Sequence, residues 1–73
     1  MIEVRIEKIF AKVFFIDDAK TINRSNYEKW DSLKHIELIL ELEEEFNLEI
    51  DDKISLEIVD FNSCLKVIES LSL

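Results

Sequence analysis

The feature that most constrains this chain is the complete absence of glycine and proline from its 73 residues. Glycine supplies positive φ angles in tight turns and proline fixes φ, so without them only asparagine, aspartate and serine remain to favour bends. Helices joined by plain loops are therefore favoured over β-hairpins.

Chain length limits the number of domains, and charge limits the kinds of partner. A chain of this size with 48% apolar residues can build one modest core, so we expect a single domain over residues 1–73. Seventeen acidic against nine basic residues give a formal net charge of −8. That charge would repel nucleic-acid phosphates and anionic lipid surfaces. We expect no nucleic acid partner, no membrane insertion, and partners that are basic proteins.

Cysteine usage and the first residues indicate the compartment. Cys64 is the single cysteine, so no intramolecular disulfide can form, and a reducing environment fits. Residues 1–10 carry charges throughout and lack the apolar core of a signal peptide. No stretch approaches the ~20 apolar residues of a membrane span. We expect a soluble, cytoplasmic protein.

Apolar spacing predicts an all-α fold with helices over about residues 2–15, 32–46, 52–58 and 61–71. The first segment also alternates like a strand, but no later segment supplies a convincing partner strand, so we prefer the helix. Residues 17–31 lose the periodicity and predict a long loop. Loops longer than about 12–15 residues are often functional.

The second helix has the strongest local signals. Asp31 is a good N-cap for the amides of Leu33 or Lys34, and Asn47 can end the helix in a left-handed conformation. Trp30, just before the helix, is placed to pack on His35. The spacing predicts one broad apolar face toward the core, formed by Leu33, Ile36, Ile39, Leu40, Leu42 and Phe46.

Few residues could carry chemistry. His35 and Cys64 are the single residues of their kinds and fall on different predicted helices, and glycine-dependent phosphate loops are impossible. No zinc or EF-hand pattern is present. We expect no catalytic residue, no metal site and no enzyme activity. Ser32 opens the best helix after the longest loop, although a serine there is usually only a tolerated polar residue.

The run WDSLKHIELILELEEEFNLEI at residues 30–50 resembles the acyl carrier protein family, whose D-S-L motif opens the second helix. The resemblance extends over nearly the whole chain and implies an acyl-carrier-like four-helix bundle, three main helices and one short one. It implies that Ser32 bears 4′-phosphopantetheine, which a phosphopantetheinyl transferase takes from coenzyme A. The protein would then carry an acyl group as a thioester and present it to partner enzymes.

The same resemblance assigns partner contacts. Asp31 would help to engage the transferase and its magnesium ion. Leu33 matches a position that partner enzymes grip, although an ordinary core leucine is equally compatible with the spacing.

Acidic residues on the second helix form a further predicted feature. Glu37, Glu41 and Glu44 share one face at i, i+4 and i+7, with Glu43 beside them, and we expect the stripe to face water. Like charges at this spacing cost roughly a few tenths of a kcal/mol each, which suggests a use. The resemblance implies docking on basic patches of the acyl-loading and acyl-transfer enzymes, with the carrier acting as a monomer. A merely solvated face is the alternative.

Departures from the family pattern bear on the pathway. Trp30 stands where carriers of bulk fatty-acid synthesis commonly have a small residue, and Lys34 replaces a residue that is often acidic. The W-D-S-L-x-H form, completed by His35, is similar to carriers of dedicated biosynthetic pathways. Two alternatives stay open: a carrier of aminoacyl or D-alanyl groups, and an unmodified acidic helical adaptor that binds basic proteins.

Overall fold

A computed structural model of the chain describes residues 1–72, and Leu73 lies outside the described residues. Four α-helices follow one another: α1 (Ile2–Phe14), α2 (Ser32–Phe46), α3 (Asp52–Ser55) and α4 (Phe61–Ser72). Residues 1–72 hold no β-strand beyond an isolated antiparallel bridge between Asn23 and Asp60. The all-α prediction is confirmed, and the ambiguous first segment is a helix.

The helix ends follow local signals. α2 begins after Asp31 and ends before Asn47, whose φ of 51° is left-handed, as predicted. α1 ends one residue earlier than predicted, because Phe15 takes a left-handed φ of 56° and donates its N–H to the carbonyl of Ala11. α3 is shorter than the predicted 52–58. The residues that follow α3 form tighter turns, in which the amides of Glu57 and Ile58 donate to the carbonyls three residues before them.

One hydrophobic core lies between the helices, and α1 packs against both α2 and α4. The side chains of α1 that enter it are Ile6, Ile9, Phe10, Val13 and Phe14. From α4 come Phe61, Cys64, Val67 and Ile68, whereas Leu65 and Leu71 of the same helix are partly buried at the edge of the core.

The predicted apolar face of α2 is wrong in part. Leu33, Ile36 and Leu40 are 77%, 56% and 59% exposed. The face toward the core consists instead of His35, Leu38, Ile39 and Leu42. Both sets have helical spacing, so periodicity alone does not say which set is buried. Phe46 is only partly buried, with the Arg5 guanidinium 4.4 Å from its ring centre.

The connection between α1 and α2 has internal structure. A short 3₁₀ turn spans Ala19–Thr21, and the Asn23 side chain accepts the amides of Ser25 and Asn26. The amide of Arg24 donates to the Val59 carbonyl at 2.8 Å, which fastens the loop beside the start of α4. The loop that precedes Ser32 is thus held against the core.

Candidate functional site

The N-terminus of α2 presents the candidate serine. Asp31 has extended backbone angles, and its Oδ1 accepts the Lys34 amide at 2.9 Å. Its carbonyl accepts the His35 amide at the same distance. The predicted N-cap is confirmed, and it fixes the first turn of the helix. Ser32, the next residue, is exposed.

Beneath this first turn, Trp30 and His35 form a buried pair, 3% and 5% exposed. The indole Nε1 donates to His35 Nδ1 at 3.0 Å, and the two rings stack at 25°. The predicted packing of Trp30 on His35 is confirmed. Because an indole nitrogen can only donate, Nδ1 is the acceptor and the imidazole carries its proton on Nε2.

The imidazole also joins α2 to α3. His35 Nε2 lies 3.0 Å from the Ser55 carbonyl oxygen and 3.0 Å from Ser55 Oγ. The carbonyl accepts the Nε2 proton, so both ring nitrogens are engaged. We call the hydrogen-bonded chain of Trp30, His35 and Ser55 the first-turn relay. It connects the loop, the longest helix and the end of the shortest one.

The protonation of His35 follows from this environment. Burial lowers its pKa below the ordinary 6.5, and the charge of Arg24 lowers it further, against the opposing effect of the Ser55 carbonyl. The ring is therefore neutral at neutral pH. With one nitrogen accepting from tryptophan and the other donating to Ser55, His35 acts as a structural side chain.

An aromatic cluster supports the relay from below. The Trp30 ring centre lies 5.7 Å from Phe10 in an edge-to-face arrangement and 4.8 Å from Phe14. Phe10 in turn meets Phe61 of α4 at 5.8 Å. Such pairs stabilise beyond their buried area by about 0.5–1.5 kcal/mol each. The first turn of α2 thus rests on packed rings.

The outer side of α2 combines apolar and acidic residues. Five exposed positions recur at i, i+3, i+4, i+7 and i+11, which places them on one face of the helix. We call this face the α2 outer face; it consists of Leu33, Ile36, Glu37, Leu40 and Glu44. Leu33, Ile36 and Leu40 were predicted to face the core, and their spacing indicates only that they share one side of the helix.

Members of the predicted acidic stripe have different surroundings. The expectation that Glu41 faces water is wrong: its side chain is 24% exposed and pairs with Lys12 of α1 at 2.7 Å. Glu43 is half-buried and accepts the Ile50 amide at 2.8 Å. Glu37 is exposed and lies 3.2 Å from Lys34. Glu44 is exposed. Docking by these residues stays a prediction, and Glu37 and Glu44 are the most accessible of them.

Other reactive groups of the described chain lie outside this site. Burial raises the pKa of the Cys64 thiol to about 12, so it stays protonated and unreactive. Among residues 1–72, acidic, histidine and cysteine side chains nowhere gather in threes as a metal site requires. None of the helices in the same range has the length and apolar character needed to cross a bilayer.

Comparison with known proteins leaves the family open. No protein-family model matches the chain. No solved structure matches it either. The case for a function comes from the residues and the geometry of this molecule.

Proposed function

We propose that this protein is an acyl carrier protein, with an acyl-carrier-type four-helix bundle, that bears 4′-phosphopantetheine on Ser32 and has no enzyme activity of its own. One observation carries the proposal: the serine of the D-S-L motif is exposed at the capped start of the longest helix, beside an exposed apolar and acidic face. This is where a modifying enzyme and later partners can reach one residue without disturbing the core.

The surroundings of Ser32 fit the prosthetic group. A phosphodiester on its oxygen would lie at the positive end of the α2 dipole, where the first amides have no helical partner. Asp31 occupies the Lys34 amide and leaves the amides of Ser32 and Leu33 for the phosphate. When bound, the group supplies a flexible arm whose terminal thiol holds an acyl group as a thioester.

Loading requires a separate transferase. In that reaction the Ser32 oxygen attacks the phosphorus of coenzyme A that bears the pantetheine, and the bond to adenosine 3′,5′-bisphosphate breaks. The serine proton passes to a base of the transferase. Asp31 caps the helix through Oδ1, which leaves Oδ2 to approach the magnesium ion of the transferase. Helix capping and transferase recognition thus use different oxygens of one carboxylate.

Partner enzymes would dock on the α2 outer face. Its apolar row, Leu33, Ile36 and Leu40, offers burial, and Glu37 and Glu44 offer charge beside it. With a net charge of −8 the whole molecule attracts basic surfaces, and such attraction mainly accelerates encounter and orients the complex. The expected partner surface has an apolar centre and a basic rim.

The pathway is proposed from the motif. The buried pairing of Trp30 with His35 gives the W-D-S-L-x-H form a structural role, and that form favours a dedicated biosynthetic pathway over bulk fatty-acid synthesis. We propose that the carrier acts as a cytoplasmic monomer that shuttles between the transferase and the acyl-loading and acyl-transfer enzymes. The tethered arm raises the effective concentration of its cargo at each active site.

Intact mass spectrometry tests the proposal. Incubation with coenzyme A, magnesium and a broad-specificity transferase should add the mass of one phosphopantetheinyl group. Ser32→Ala should abolish the gain, whereas the same change at Ser70, another exposed helical serine, should leave it unchanged. An unmodified mass in a protein with native helicity would reject the carrier and leave the acidic adaptor.

A further inference from the structure

We infer that this carrier keeps its cargo in solvent and not between its helices, so that its substrates are short or polar acyl groups. The inference rests on the proposed function and names the class of cargo. A long apolar chain tethered at Ser32 would lower its free energy by entering the protein interior. Whether it can enter depends on what lies beneath the first turn of α2.

Two large side chains occupy that position. Trp30 and His35 flank Ser32 in sequence, and both point inward and are buried. The indole is also packed against the rings of Phe10 and Phe14. A chain that enters beside Ser32 must displace the indole or the imidazole. Close-packed interiors do not yield such space without loss of contacts.

Hydrogen bonds hold these side chains in place. The first-turn relay runs from the indole to His35 and on to Ser55, with both steps at 3.0 Å. An apolar chain that separated α2 from α3 at this point would leave His35 Nε2 without its Ser55 partner. One that entered between the indole and the imidazole would leave the indole N–H and Nδ1 unpaired. It offers no donor or acceptor in return, and unpaired buried polar groups are costly. The relay therefore opposes an apolar guest more strongly than packing alone would.

The rest of the interior is also occupied. Leu38 and Leu42 of α2 are fully buried and belong to the same core cluster as Ile58, Phe61 and Ile68. Two open clefts border α3, one lined by Leu48, Ile50 and Ile54 with acidic residues, the other by Ile54, Val67 and Leu71 with polar residues, and Ser32 lines neither of them. The cleft between α1 and α2 is lined mainly by charged side chains, Arg5, Lys8, Lys12, Glu41, Glu44 and Glu45, together with Ile9. A charged cleft of this kind does not suit an alkyl chain.

The consequence concerns substrate choice. A long acyl chain would stay exposed on the arm or lie on the apolar row of the α2 outer face, where it would compete with partner enzymes. Short or polar groups, aminoacyl groups among them, have little apolar surface to hide. The filled interior therefore matches a carrier of such groups.

The inference is tested by comparing the melting temperatures of carriers loaded with a short and with a long acyl chain. The same transferase is given acetyl-coenzyme A or octanoyl-coenzyme A, and intact mass confirms each product. We expect equal melting temperatures for the two forms, and an unchanged NMR signal for the indole N–H of Trp30, the single tryptophan. A higher melting temperature of the octanoyl form, with a shifted indole signal, would overturn the inference while the proposed function stands.

A variant of Trp30 tests whether this side chain keeps the acyl chain out of the protein interior. Trp30→Leu leaves apolar space beneath the first turn, so in this variant the octanoyl form should melt above the acetyl form. Equal melting of the two forms in folded Trp30→Leu would contradict the role given to Trp30. If the variant does not fold, the comparison of the acetyl and octanoyl forms of the unaltered protein still tests the inference. Absence of any mass gain would instead reject the proposed function itself.

Discussion

Trp30→Phe should destabilise the protein by about 2–4 kcal/mol, because it removes the indole N–H while keeping an aromatic ring. The unpaired Nδ1 of buried His35 accounts for about 1–3 kcal/mol, and the smaller ring adds about 1 kcal/mol through lost contacts. Folded domains have roughly 0.05–0.15 kcal/mol of stability per residue, which gives about 4–11 kcal/mol for 73 residues. The change is thus a large fraction of the total.

A double-mutant cycle isolates the hydrogen bond. His35→Phe alone leaves the indole N–H unpaired and breaks the contact with Ser55, at a further cost of about 1–3 kcal/mol. The double variant contains neither the indole N–H nor the imidazole, so neither is left buried without a partner. The hydroxyl of half-buried Ser55, which loses its contact with His35, can bond to water. We expect the double variant to be about 1–2 kcal/mol more stable than the sum of the single effects predicts.

Urea unfolding followed by far-UV circular dichroism measures all four proteins. Free energies of unfolding should be compared only where the denaturant slopes agree. Independent sites add within about 0.3–0.5 kcal/mol. Additivity within that margin would refute the claim that the indole and the imidazole form one buried polar unit.

Further predictions concern pH, docking and the edge of the core. The unfolded chain protonates His35 near its ordinary pKa of 6.5, whereas the folded chain resists protonation, so stability should fall as pH drops below 6.5. Melting temperatures measured above and below that pH should show this loss of stability, and the loss should be smaller in His35→Phe. Equal losses in the variant and the unaltered protein would contradict the assignment to His35. Glu44→Lys should slow loading by the transferase about tenfold and leave the melting temperature unchanged. Glu69→Lys, which makes the same charge change on α4, should leave the loading rate unchanged. Equal slowing by the two variants would show that net charge alone sets the rate. Phe46→Ala should cost about 1–2 kcal/mol in urea unfolding, because its ring is only partly buried, against about 3–5 kcal/mol for Phe10→Ala; equal costs would place both rings in the core.

Local signals determined what could be predicted from sequence. Both ends of α2 follow from neighbouring residues, the capping carboxylate of Asp31 and the left-handed asparagine at position 47. The packing of Trp30 on His35 was also predictable, since the two residues lie at either side of one helix turn. Ser32 is exposed, as its place in the first turn suggested.

Features that depend on distant contacts could not be predicted. α2 carries two rows of largely apolar residues at helical spacing, and only packing against the rest of the chain decides that Leu38 is buried and Leu40 exposed. Glu41 was placed in water because its partner, Lys12, is 29 residues away in the chain. The link from His35 to Ser55 likewise joins residues that local patterns do not relate.

Peptide mapping of the transferase product tests the central claim most directly. Cleavage after Lys29 and Lys34 releases the peptide of residues 30–34, in which Ser32 is the single hydroxyl side chain. The account predicts that the phosphopantetheinyl group is found on this peptide alone. A modified peptide elsewhere in the chain, or an unmodified one from a fully folded protein, would contradict it.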